Sequence, residues 1–307
     1  MKRVRKIIAL SLIAVMMLTL SSCGQVKLSE NLEKVKQETV EYIVQQVEEP
    51  GIASVGGDWL MRALAMSGLD VDEDFVSLYY DNVRAKVKSE EGKIHDKYYS
   101  DYARATIGVV SIGKDPTDIE GYDITKSMDN YKEITDQGMT AVAYTLVAAN
   151  IAGVKLDNEE AYLNYLKKEV KSFIDSGKKD TDYLSMSLVG LSLYTDREDI
   201  KALSDQGVEQ LSKLQDEDGT FGSCESTAEA IIALSQLKID VFEDSRFVKN
   251  DVSLGDSLII YRNDEGGFAH TLETDDKETD LMSTERALLA MDSMSLFKEG
   301  KALYERK

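Results

Sequence analysis

Residues 140–153 read TAVAYTLVAANIAG, a run of small and aliphatic residues without one charged side chain. Ala and Leu favour helix, and a helix this rich in small side chains can be approached closely on both flanks. Five further segments are dense in the same residue types, at 59–68, 102–113, 183–194, 226–237 and 283–294. Registered on Ala63, Gly108, Ala148, Gly190, Ala233 and Ala290, the six recur at spacings of 45, 40, 42, 43 and 57 residues. The last interval is longer because an acidic stretch, 271–280, precedes the sixth segment. A period in the forties is that of a repeated helical pair.

Each segment is preceded by a more charged stretch with one apolar face. Leu28, Leu32, Val35, Ile43, Val44 and Val47 share a face of a helix, as do Leu163, Leu166, Val170 and Phe173. The outer helices predicted this way cover 28–48, 74–88, 157–175, 199–214 and 250–262; the third, within 124–135, is short and poorly patterned. Only two prolines, Pro50 and Pro116, occur in the chain. The expectation is an all-α fold, an (α/α)6 toroid of six outer/inner hairpins, with small-residue helices crowding one axis. An open α-solenoid with the same repeat is the alternative. One pair cannot bury both faces, so the repeat is stable only when closed or capped.

The first 22 residues have a different character. Lys2, Arg3, Arg5 and Lys6 precede a stretch at 7–20 that is apolar apart from Ser11 and Thr19, too short to span a bilayer. Leu20-Ser21-Ser22-Cys23-Gly24 follows and resembles the lipobox of bacterial lipoproteins. The resemblance implies a signal peptide at 1–22, diacylglycerol on Cys23, a tether at 23–30 and a folded domain at 31–307. It also implies a chain held on the outer face of the cell membrane by its lipid.

Removing 1–22 takes away four positive charges and no negative one, so the net charge of −20 becomes −24. Such a surface repels a phosphate backbone, which argues against nucleic acid as a partner. With Cys23 lipidated, Cys224 is the one remaining thiol and no intrachain disulfide can form.

Leu214-Gln215-Asp216-Glu217-Asp218-Gly219-Thr220-Phe221-Gly222 resembles the repeat of squalene cyclases and protein prenyltransferase β-subunits, in which a Gln and a Gly-aromatic pair tie successive hairpins together. Asn263-Asp264-Glu265-Gly266-Gly267-Phe268 is a second copy without the Gln. Gly113-Lys114-Asp115-Pro116, Glu225-Ser226-Thr227-Ala228, Gly267-Phe268-Ala269-His270 and Ser283-Thr284-Glu285 are similar to bacterial surface proteins with this toroid. The transcobalamin and intrinsic factor group is similar too, and implies cobalamin as a ligand class. There a β-domain follows the toroid and closes the site. Here Lys307 comes directly after the sixth pair, so the cobalamin clamp is not expected.

The catalytic sets these relatives imply are matched only in fragments. Glu273-Thr274-Asp275-Asp276 is one residue from the cyclase D-x-D-D acid, but it sits in a solvated charge run. With one Trp and seven Phe, cation-stabilising aromatic walls are not evident. The prenyltransferase zinc site uses an Asp, a Cys and a His at the starts of inner helices. Cys224 and His270 match two of these, while Gly222-Ser223-Cys224 stands in place of D-x-C. Neither His95 nor His270 lies near a nucleophile motif, and the acids at 216–218 do not continue as a calcium loop.

The six inner-helix N-termini should share one mouth, where unpaired N–H groups create a positive field. Asp58, Asp101, Asp136, Asp182, Glu225 and Glu285 collect there, mostly as expected caps and first-turn residues. The candidate ligand-binding residues at that mouth are Trp59, Arg62, Tyr102, Arg104, Gln137, Tyr144, Glu225, Thr227, Phe268, His270 and Glu285. The expected function is a membrane-anchored, non-catalytic module that binds a small molecule or peptide, or a second cell-surface protein. No cofactor is expected. The alternative is a prenyltransferase-like or terpene cyclase-like enzyme with a diverged site.

Overall fold

The computed structural model describes residues 26–272 and 278–306. The stretch read as a signal peptide, Cys23 and the acidic run at 273–276 lie outside the described residues. The fold is all-α but for one small hairpin.

Six helices correspond to the small-residue segments: α2 (Asp58–Met66), α4 (Ser100–Ser111), α6 (Met139–Ala152), α8 (Thr181–Ser192), α10 (Cys224–Gln236) and α12 (Leu281–Lys298). Most of their surface is buried; in α10 every residue but Ser226 is. Between them run α1 (Leu28–Gln46), α3 (Glu73–Ser89), α5 (Tyr131–Thr135), α7 (Glu159–Asp175) and α9 (Glu198–Leu214). These bury one face only, in α7 the face of Tyr162, Leu163, Leu166, Val170 and Phe173, as an amphipathic surface helix does. Each even-numbered helix packs on the next, α12 returns to pack on α2, and α1 also lies against α12.

The even helices run side by side with their starts together. Asp58 of α2 meets Arg104 of α4, and Ser283 of α12 meets Glu225 of α10. Four of the six stop in the same way, a left-handed residue followed by a backbone bond reaching back five residues. The left-handed residues are Gly113, Gly153, Lys238 and Gly300.

Gly108 shows why the register residues are small. A Cβ there would lie 2.9 Å from the Asp58 Cα and would press on the Tyr79 hydroxyl, which is itself held to Asp58 Oδ1 at 2.6 Å. Gly108→Ala is expected to cost about 1–3 kcal/mol, because neither neighbour can retreat. Urea unfolding measures it, and a loss below about 0.5 kcal/mol would show that the helices have slack here.

Two expectations change. The first helix begins at Leu28, inside the stretch assigned to the tether, and Leu28 is fully buried. The predicted outer helix at 250–262 is broken into β1 (Val248–Lys249), β2 (Val252–Ser253), α11 (Leu254–Ser257) and a 3-10 turn at Leu258–Tyr261. Asn250 and Asp251 take φ of 47° and 65°, the two-residue turn that suits a tight hairpin and ends a helix. The third outer element is as short as its pattern implied, a 3-10 turn at Ile124–Asp129 followed by the five-residue α5.

The Gln of the resemblance does tie neighbouring pairs. Gln215 Nε2 donates to Gly219 O at 2.8 Å and to Phe247 O at 3.2 Å, both buried. In the second copy Asn263 Oδ1 accepts from the backbone N–H groups of Glu265, Gly266 and Gly267.

Candidate functional site

At the helix starts, the acids expected as caps mostly have other partners. The capping side chains are Asp180, Ser223 and Asp280, which accept from Tyr183, Ser226 and Ser283 N–H groups. That leaves Asp58, Glu225 and Glu285 for tertiary bonds. Asp58 is fully buried; its Oδ1 accepts from Tyr79, its Oδ2 from Ala53 N at 2.7 Å, and Arg104 Nε stands 3.2 Å away. Burial pushes its pKa up to about 6, against the opposing pull of Arg104 and the two hydrogen bonds. Glu285 is buried beside it, accepts from Gly56 N at 2.9 Å, and is likewise raised by burial.

Glu225 bridges two elements. Its Oε1 accepts from Ser283 Oγ at 2.5 Å, and its Oε2 lies 2.7 Å from Nδ1 of the exposed His270. Next to it Cys224 is buried, its Sγ directed to Ser283 O at 3.6 Å. Burial, with Glu225 and Asp280 nearby, raises the thiol well above its ordinary pKa, so it is held as a thiol. The sulfur faces a carbonyl, and of the ring it is Nδ1 that faces Glu225. Among the described residues no group of three His, Cys, Asp or Glu side chains is placed to hold a metal.

Deeper in, a column of large side chains fills the space between the even helices. Trp59 and Tyr144 meet edge to face with centroids 4.8 Å apart. The Arg286 guanidinium lies 4.5 Å from the Trp59 ring centroid, and its Nη1 is 3.0 Å from Glu229 Oε1. Tyr144 donates its hydroxyl proton to Glu229 Oε2 at 3.2 Å. Below, Tyr304 packs on Tyr144 at 6.0 Å, and Arg62 lies over the Tyr304 ring at 5.6 Å. A cation stacked on an indole and paired with a buried carboxylate is held firmly.

The structure therefore unites Trp59, Arg62 and Tyr144 in the column and sets Arg104 and Glu285 with Asp58. It pairs Glu225 with His270 at the rim. The other candidates have structural duties. Tyr102 bonds Ile94 N at 3.2 Å; Gln137 ties Ser100 N, Lys97 O and Glu133 O; Thr227 accepts from Phe221 N; Phe268 is core. The sequence reading missed Arg286, Glu229 and Tyr304. The signal was present for the first two: Glu229 is the one charge in 226–237, and Arg286 is one of three charges in 283–294, where a helix buried on all sides must bury them.

At the opposite end, clefts of about 850 and 430 Å³ lie beside residues 301–306. No protein-family model matches the chain, and a search of characterised proteins finds no significant match.

Proposed function

We propose that the chain is a lipoprotein anchored through Cys23 on the outer face of a bacterial membrane, whose six helical pairs form an (α/α)6 toroid used as a non-catalytic binding or scaffolding module. The return of α12 to α2 supports the toroid over an open solenoid. No helix of the described residues is long and apolar enough to cross a membrane.

The observation that carries the non-catalytic reading is the filled column. An enzyme handling an isoprenoid chain needs an open apolar cavity along this axis. Here Trp59, Tyr144, Tyr304 and Arg62 are each at most 5% exposed and occupy it. Binding is then a matter for the toroid's two ends, with a small molecule, a peptide or another surface protein as partner.

Two measurements test this. Cys23→Ala should move the chain from the detergent phase to the aqueous phase in detergent partitioning; unchanged partitioning would rule out the lipid anchor. Purified residues 24–307, titrated with farnesyl diphosphate after zinc analysis, should show neither stoichiometric zinc nor saturable binding. Zinc at one per chain that is lost in Cys224→Ala would establish the prenyltransferase-like reading instead.

A further inference from the structure

After Gly300 the chain turns back across the ends of the even helices. Residues 302–305 form a tight turn, closed by Glu305 N donating to Ala302 O at 3.2 Å, with Leu303 and Tyr304 at its tip. Both tip residues are fully buried. Their backbone joins no helix or strand; side chains hold it. Arg62 of α2 donates to Leu303 O, Asn150 Nδ2 of α6 to Tyr304 O at 3.4 Å, and Tyr304 N donates to Gln236 Oε1 of α10 at 3.1 Å. Those partners lie 241, 154 and 68 residues away in sequence.

The side chains are received as specifically. Tyr304 enters between Tyr144 and Arg62, and Arg306 reaches the C-terminal end of α6. There the guanidinium lies over Gly153, where a Cβ would come within 2.6 Å of its central carbon, although Arg306 itself is exposed. A cation suits the negative end of the helix dipole. The clefts run along the segment, one bordered by Gln236, Phe297 and Tyr304, the other by Met66, Ser295 and Arg306. The turn is thus held by directed polar bonds and one aromatic anchor, with open space beside it, as bound peptides are held.

We propose that this face of the helix ends is a peptide-binding site, selective for a tight turn tipped by an aliphatic–tyrosine pair with an arginine two residues on, and that residues 301–306 occupy it in cis. The partner it fits is a protein that presents the same turn. Because the cis segment is joined through a few residues, its effective concentration is on the order of millimolar, and a partner must displace it.

The test uses residues 24–307, which include every described helix, with a protease site inserted between Glu299 and Gly300 and cut after folding. A dye-labelled peptide of residues 300–307 is then titrated by fluorescence anisotropy. The cut protein should bind it saturably, at least about 100-fold more tightly than the uncut protein, in which the cis turn competes. Replacing tyrosine by alanine in the peptide should weaken binding at least about 10-fold, and Gln236→Ala in the protein about 5-fold. Equal binding by cut and uncut protein, or by the wild-type and alanine peptides, overturns the proposal. So does loss of helical signal on cutting, since the segment would then be part of the fold and not a ligand. An independent variant avoids the cut: uncut Tyr304→Ala should keep its helical signal and gain binding of the wild-type peptide, and failure to gain it overturns the proposal as well.

Discussion

Arg286→Met should destabilise the folded chain by about 3–5 kcal/mol, the cost of leaving a buried carboxylate without its partner. Glu229 is 4% exposed and its closest cation is Arg286, 3.0 Å away. Burial draws the Arg286 pKa down, yet the charges of Glu229 and Glu285 bring it above its ordinary value, so the guanidinium stays charged. Its loss also removes the stacking on Trp59. Methionine fills much of the same volume, so the deficit is electrostatic and not a cavity. Adding Glu229→Gln should then recover most of the loss, because a neutral amide can keep the bond from Tyr144 without an unpaired charge. Urea unfolding of the two single variants and the double variant gives the coupling directly. A single-variant loss below about 1 kcal/mol, or no recovery in the double variant, would mean that solvent reaches Glu229 and the column is open.

Stability should fall as pH rises from about 4 to about 6, and Asp58→Asn should remove a large part of that slope. In the unfolded chain Asp58 titrates near 3.8, and in the fold near 6. Between those values the folded state holds a proton that the unfolded state has released. Raising pH through the window therefore favours unfolding. The stabilisation is fully present below about pH 4 and gone above about pH 6, and a shift of two units corresponds to roughly 3 kcal/mol. Asp101, Asp182, Glu229, Glu285 and Asp292 are also raised by burial and add slope of the same sign. Comparing wild type with Asp58→Asn isolates one group among them. A variant that keeps the full slope would show that Arg104, Tyr79 and Ala53 hold the carboxylate charged throughout. Melting temperatures at half-unit steps decide it.

The helices were legible because their cause is local. Residues 140–153 cannot be a solvated segment, and α6 spans Met139–Ala152. The face shared by Leu163, Leu166, Val170 and Phe173 is the buried face of α7. The sixth outer element was misread because its apolar positions mimic a helix, while two consecutive residues, Asn250 and Asp251, accept the left-handed conformation and turn the chain. Propensity averaged over a dozen residues does not register one such turn.

The candidate site was half legible. Trp59, Arg62 and Tyr144 stand out because large or charged residues are conspicuous in a segment otherwise built of small ones. Their partners did not stand out. Arg286 is as close to Trp59 as any neighbour could be, yet 227 residues separate them in sequence, and only the return of α12 to α2 brings them together. Tyr304 carries no periodic signal at all, because it lies in a turn held by Arg62, Asn150 and Gln236.

The linear chain by itself determined that the fold is helical, and which helices must be covered on every side, since those properties depend on neighbours within a few turns. Only the tertiary structure decided what the middle contains. Whether facing helices leave a cavity or fill it depends on which long side chains meet across the axis, and such meetings are between residues too far apart in the chain for any local pattern to record.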